Sequence, residues 1–205
     1  MDAYVDGYCE RVAPGLWGEP LNTVSNVAFL IAAVLIWRRA QGPVARTLAV
    51  LLGLICLAST AFHALATGWA GAADTGFILV FVLYYAVAFT HLFLGVPWRR
   101  AWLAAPAFLA ITVGVAALTG SMYLSALLGL FVFAALLART PHWPRFAVAG
   151  GVFAVSLGLR TADHSVCGSF PPGTHFLWHL LNGVVLYVVS AGVVRVETPT
   201  TPAKA

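Results

Sequence analysis

Charge is what this sequence has least of. Only 9% of its 205 residues are Asp, Glu, Lys or Arg, where a soluble domain carries roughly 25%. Hydrophobic residues make up 61%, and the mean hydropathy is +0.91. That excludes the soluble globular class and points to an integral membrane protein. The formal net charge of +4 is not gathered into a patch. Its Lys and Arg sit between apolar runs, so a nucleic-acid surface is excluded and the basic residues read as topology signals. A cleavable signal peptide is not expected either. The first twenty residues carry Asp2, Asp6, Glu10, Arg11 and Glu19, with no basic n-region and no apolar h-region. The mature chain is therefore expected to start near Met1, with its first membrane helix directing insertion. No internal repeat is evident. Cysteine is scarce, at three residues.

What is present is a series of seven apolar runs, at 21–37, 48–65, 77–94, 102–118, 122–137, 146–159 and 176–194. A spanning helix needs about 20 residues, within a range of about 17–25. The sixth run is short and contains glycine, so six helices is the alternative. The basic residues favour seven. With the N-terminus outside, nine of the eleven Lys and Arg fall on inner segments, and only Arg11 and Arg160 fall outside. The expected fold is an all-α bundle of seven transmembrane helices, N-terminus outside and C-terminus inside. One domain covers residues 1–196, with 1–20 as an outer segment. The Pro/Thr-rich stretch 197–205 reads as a disordered tail.

On this topology the polar residues converge. His175 and His179 stand four apart at the start of the last span, on one helix face. Ser59 and His63 stand four apart at the outer end of the second. Asp74 opens the third. Ionisable groups inside a bilayer are costly and need a reason to be there. Three histidines with an open position describe a catalytic zinc site, so His63, His175 and His179 are the candidate ligands. Asp74 can act as general base toward a zinc-activated water, or can orient a ligand histidine from behind. Ser59 can donate to a carbonyl oxygen as it becomes an oxyanion. The competing reading is that each histidine is hydrogen-bonded to a neighbouring helix, with Ser59 bonded to helix backbone. His91 lies toward the inner end of the third span, His142 in an inner loop and His164 in an outer loop, all outside the group.

Cys9 and Cys167 both fall outside, where an oxidising compartment permits a disulfide that would tie the N-terminal segment over the mouth of the bundle. Two free thiols is the alternative. Cys56 reads as a small buried apolar residue. Glu10 and Glu19, with Pro14, Gly15 and Gly18 between them, suit a hard cation such as calcium. They equally suit solvated acids at a helix start, with Glu19 and Pro20 capping the first helix. Asn22, Ser25 and Asn26 are expected to hydrogen-bond across helices.

Four pieces spread over almost the whole chain carry a resemblance: YCE with EPLNTVSN, STAFH, Asp74 and HFLWH. With them the sequence resembles the alkaline ceramidases, within the superfamily of seven-helix membrane hydrolases that includes the adiponectin-type receptors. The resemblance implies zinc on His63, His175 and His179, Ser59 and Asp74 in the catalytic centre, and a Cys9–Cys167 disulfide. It also implies a calcium site near the N-terminus, with Asp6, Tyr8, Glu10 and Glu19 as its candidate residues. Animal members read Asp-Trp-Cys-Glu-x-Asn there. This chain reads Gly7-Tyr8-Cys9-Glu10-Arg11-Val12, with an acid at Asp6 and no Asn.

The expected activity is hydrolysis of the acyl amide of a ceramide-like lipid, giving a fatty acid and a long-chain base. The substrate would enter from the bilayer, in a bacterial inner membrane with the site on the outer, periplasmic side. The competing functions are hydrolysis of another acyl lipid and zinc-dependent reception without turnover.

Overall fold

The computed structural model describes residues 2–198. Among them nine helices form and no strand does, apart from a single bridge between Tyr4 and Thr67. They are α1 (Pro20–Ser25), α2 (Val27–Arg39), α3 (Pro43–Leu65), α4 (Gly68–Leu92), α5 (Trp98–Ala101), α6 (Ala104–Thr119), α7 (Tyr123–Leu136), α8 (Trp143–Val166) and α9 (His175–Glu197). α1 and α2 continue each other, as do α5 and α6. Six helices are long and apolar enough to cross a membrane: Pro20–Arg39, Pro43–Leu65, Gly68–Leu92, Trp98–Thr119, Trp143–Val166 and His175–Glu197.

The departure from seven equal spans falls at the fifth apolar run, not the sixth. α7 has 14 residues, or about 21 Å at the α-helical rise, against a hydrocarbon core of about 30 Å. The sixth run is the core of the 24-residue α8. Its ends carry polar residues that hydropathy does not count, from Pro144 and Arg145 to Asp163 and Ser165, and the helix runs on through them. The expected tail also begins later than residue 197. Glu197 closes α9, and its carboxylate accepts from the backbone N–H groups of Val44 (3.1 Å) and Ala45 (2.8 Å) at the start of α3. That satisfies donors a helix N-terminus leaves orphaned. Thr198 caps α9, and residues 199–205 lie outside the described residues.

α9 is the central rod, packing against α1, α2, α3, α4 and α8. Phe29, Ile36, Leu48, Leu52, Ile55, Phe81 and Phe89 fill the space around it. Small residues let α9 approach α2 closely, as membrane helices commonly do. A Cβ on Gly183 would lie 2.8 Å from the Cβ of Ala28. That close approach brings the first turn of α9 against α1, where the site is built.

Candidate metal centre

Three buried histidines meet at one end of the bundle. His63 comes from the last turn of α3, and His175 and His179 from the first two turns of α9. One ligand nitrogen from each lies within 4.8 Å of the others. Ring centroids are 4.6 Å apart for His175–His179, 4.8 Å for His63–His179 and 5.3 Å for His63–His175.

Each ring is fixed from behind. Nδ1 of His63 contacts the Glu19 carboxylate, and its Nε2 is buried with no hydrogen-bond partner. Nδ1 of His179 lies 3.1 Å from the Asn22 carbonyl oxygen and 2.7 Å from the Ser25 hydroxyl. A carbonyl only accepts, so Nδ1 carries the proton and Nε2 the lone pair. The ring of His175 stacks on Tyr8 at 3.6 Å and 18°, and its Nδ1 is buried without a partner. Two of the three imidazoles are held by outer hydrogen bonds and the third by stacking, with buried ring nitrogens left unpartnered on His63 and His175. Such oriented rings suit a metal-ligating set. The group fits a metal ion that favours nitrogen donors.

Beside it, Ser59 stands one turn before His63 and is buried. Ser59 lies against Asp74 in the second turn of α4, and one oxygen of that carboxylate is buried with no hydrogen-bond partner. Of the residues singled out in the sequence, the three histidines form one group, Ser59 stands a turn from His63, and Asp74 lies beside Ser59. His164 is exposed and outside the group. His91 donates from Nδ1 to Val96 O (2.8 Å) and stacks on Trp98 at the far end.

The N-terminal segment covers this end. Val5 N–H donates to Ala66 O (2.8 Å) and Gly15 N–H to Ala64 O (2.6 Å), stitching the segment to the end of α3. Cys9 and Cys167 form a disulfide. Burial pushes the Tyr8 phenol well above its ordinary range, and the Arg160 charge opposes the shift.

The four candidate calcium residues do not assemble an oxygen cage. Asp6 is exposed and Tyr8 is stacked on His175. The Glu10 carboxylate accepts from the N–H groups of Leu21 (2.7 Å) and Asn22 (2.8 Å), so Glu10, not Glu19, caps α1. Glu19 is fully buried, and its cation is Arg11, with Nε 2.5 Å from Oε1. Arg11 also donates to the carbonyls of His63 (3.0 Å) and Phe62 (3.4 Å) at the end of α3. Burial pushes the Glu19 carboxyl up to about 7, with Arg11 pulling the other way. The place a divalent cation would take beside Glu19 is filled by a guanidinium of this chain.

Three residues of the site escaped the sequence reading. In the sequence Arg11 reads only as an outer basic residue. Arg160 sits over the Tyr123 ring at 4.6 Å and the Trp178 ring at 5.6 Å, close enough to Asp74 for the charges to interact. Asp163 is buried in the last turn of α8. It accepts from the N–H groups of Thr174 (2.7 Å), His175 (2.9 Å) and Cys9 (2.9 Å). One carboxylate thus caps the histidine-bearing helix and anchors the segment beside the disulfide. The sequence signal was the TADHSVC stretch, an acid three residues from the end of an apolar helix and just before a histidine-bearing one.

A narrow apolar cavity of about 80 Å³ lies between α4, α6, α7, α8 and α9. Its walls include Thr75, next to Asp74, and Asn182, one turn beyond His179, then Ile78, Phe81, Tyr123 and Leu130. Neither protein-family models nor curated proteins give a match to this chain.

Proposed function

We propose that the protein is a membrane-embedded zinc amidohydrolase that cleaves the acyl amide of a ceramide-like lipid. In this reading the six long helices and the short α7 form a seven-span bundle. Its N-terminus and site face outward, in a bacterial inner membrane. The observation that carries the reading is the convergence of three oriented imidazoles, near a serine and a carboxylate with one unpartnered oxygen, beside an apolar cavity.

Zinc, when held by His63, His175 and His179, supplies Lewis acidity that polarises a carbonyl and acidifies a water. The remaining work falls to the chain. The cavity takes part of an alkyl chain and keeps water from it. Ser59 donates to the carbonyl oxygen as negative charge develops there. Asp74 accepts the proton of the attacking water and returns it to the amide nitrogen as the C–N bond breaks. The products are a carboxylic acid and a free amine, so atoms and protons balance. Arg160, over Tyr123 and Trp178, can meet the hydroxyls of the lipid's polar end.

The test is fatty-acid release from ceramide by detergent-purified protein, with metal quantified in the same samples. Wild type should release fatty acid and hold one zinc. His179→Ala should lose both. Asp74→Ala should keep the zinc and lose turnover. Stoichiometric zinc with release from another acyl lipid would move the substrate and keep the chemistry. Stoichiometric zinc with no release from any acyl lipid favours a receptor. Absence of zinc would overturn the reading.

A further inference from the structure

At the end of the bundle away from the histidines, a recess of about 600 Å³ opens between α2, α8 and α9. Three arginines line it, Arg39, Arg145 and Arg195, together with Tyr187. Its volume lies within the range of small-molecule sites, about 300–1,000 Å³.

The arginines are held toward the recess. Arg39 donates to the Tyr187 hydroxyl at 2.5 Å, with its guanidinium 6.0 Å from the centre of the Tyr187 ring. Arg145 is half-buried and lies across Gly192, where an added Cβ would stand 3.0 Å from Arg145 Cδ. It also donates to Val188 O at 3.4 Å. Arg195 is near enough to Arg145 for the two charges to repel each other. Among the described residues none of the three has a carboxylate partner. Of the chain's acids, only Glu197 lies at this end, and its carboxylate is spent on the start of α3. Arginines that merely mark topology need not converge. Three unpaired guanidinia around one recess repel one another, and an anion between them removes the repulsion.

We propose that this recess binds a phosphate-type oxyanion, the headgroup of an anionic lipid or a soluble phosphate. Guanidinium forks match the oxygens of a phosphate in charge and geometry. The level suits a headgroup. Exposed Trp37, Trp102 and Trp143 lie at the same end of the bundle, and tryptophans gather where a bilayer meets water. Basic pockets between membrane helices are a recurrent way of holding anionic headgroups. The site is independent of the metal centre.

The test is thermal unfolding of the purified full-length protein in zwitterionic micelles. Phosphatidylglycerol, phosphatidylcholine or inorganic phosphate is added. Wild type and Arg99→Gln, an exposed arginine at the same end, should gain about 3–5 °C with phosphatidylglycerol and nothing with phosphatidylcholine. Arg145→Gln should lose that gain. Arg195→Gln, at an exposed position, should lose it too, and serves if Arg145→Gln does not fold. An equal gain with inorganic phosphate assigns the site to soluble phosphate, and a gain with the lipid alone assigns it to a headgroup. No gain in wild type, or an equal loss in Arg99→Gln and Arg195→Gln, would overturn the proposal.

Discussion

Removing the charge of Glu19 separates the two tasks assigned to it. The carboxylate balances the buried Arg11 guanidinium and holds Nδ1 of His63. Glu19→Gln keeps the shape and removes the charge. A buried ion pair broken on one side costs about 3–5 kcal/mol, because the remaining charge is left uncompensated. Thermal or denaturant unfolding of metal-free protein should show a loss of that order. Replacing both partners, as Arg11→Met with Glu19→Gln, removes the stranded charge, and most of the stability should return. Metal affinity should behave differently. Loss of the group behind a ligand histidine typically weakens binding about 10–100-fold, or about 1.4–2.8 kcal/mol. Both the single and the double variant should show that loss in a competitive zinc titration. If both bind zinc as wild type does, the Glu19–His63 contact does not orient the ligand. If the double variant stays as unstable as the single, the cost was not that of an unpaired charge.

Asp163→Ala orphans three N–H groups at once, so it should cost at least about 2 kcal/mol, the top of the range for one helix cap. Because one of them belongs to His175, zinc titration should also weaken. Cys9→Ser should lower unfolding stability by about 2–4 kcal/mol, the usual effect of losing a native disulfide, while metal content measured in the folded protein stays at one ion. Gly183→Ala should cost about 1–3 kcal/mol by overpacking α9 against Ala28, read by denaturant unfolding. Calcium added to zinc-loaded protein should leave the melting temperature unchanged, since Arg11 already neutralises Glu19. A calcium-dependent rise would show that Arg11 gives way.

The membrane class and the histidine group were legible because each rests on a local rule. Apolar runs of spanning length identify helices, and the cost of intramembrane polar groups singles out His63, Asp74, His175 and His179. Alternating helices then bring the end of α3 and the starts of α4 and α9 to one side, without knowledge of packing. What stayed hidden depends on which partner a side chain finds. Glu10 and Glu19 look alike in sequence, yet one caps α1 and the other is buried against Arg11. Arg11 read as a topology charge because nothing in its neighbours shows that it folds back onto the end of α3. The length of α8 stays hidden for a related reason. Its terminal turns are polar because Asp163 and Arg145 serve α9, and a hydropathy window counts such residues as the end of a helix.

The distribution of polar groups also bears on what kind of membrane protein this is. A transporter needs a continuous path for a polar solute. Here the buried charged residues and the three histidines lie at one end and the arginine recess at the other. Between them stand Phe29, Leu52, Ile55, Phe81 and Phe89, all buried in one apolar cluster. Tyr85 in this layer spends its hydroxyl on Val189 O at 3.1 Å. Moving a hydrated ion through such a layer would require parting α3, α4 and α9, the helices that carry the histidines and Asp74, and so dismantling the site. Chemistry confined to one end needs no such opening. Under the proposed hydrolase reading, a lipid reaches that depth laterally through the bilayer, and its products leave on the same side. The apolar layer that obstructs transport is thus compatible with an intramembrane hydrolase.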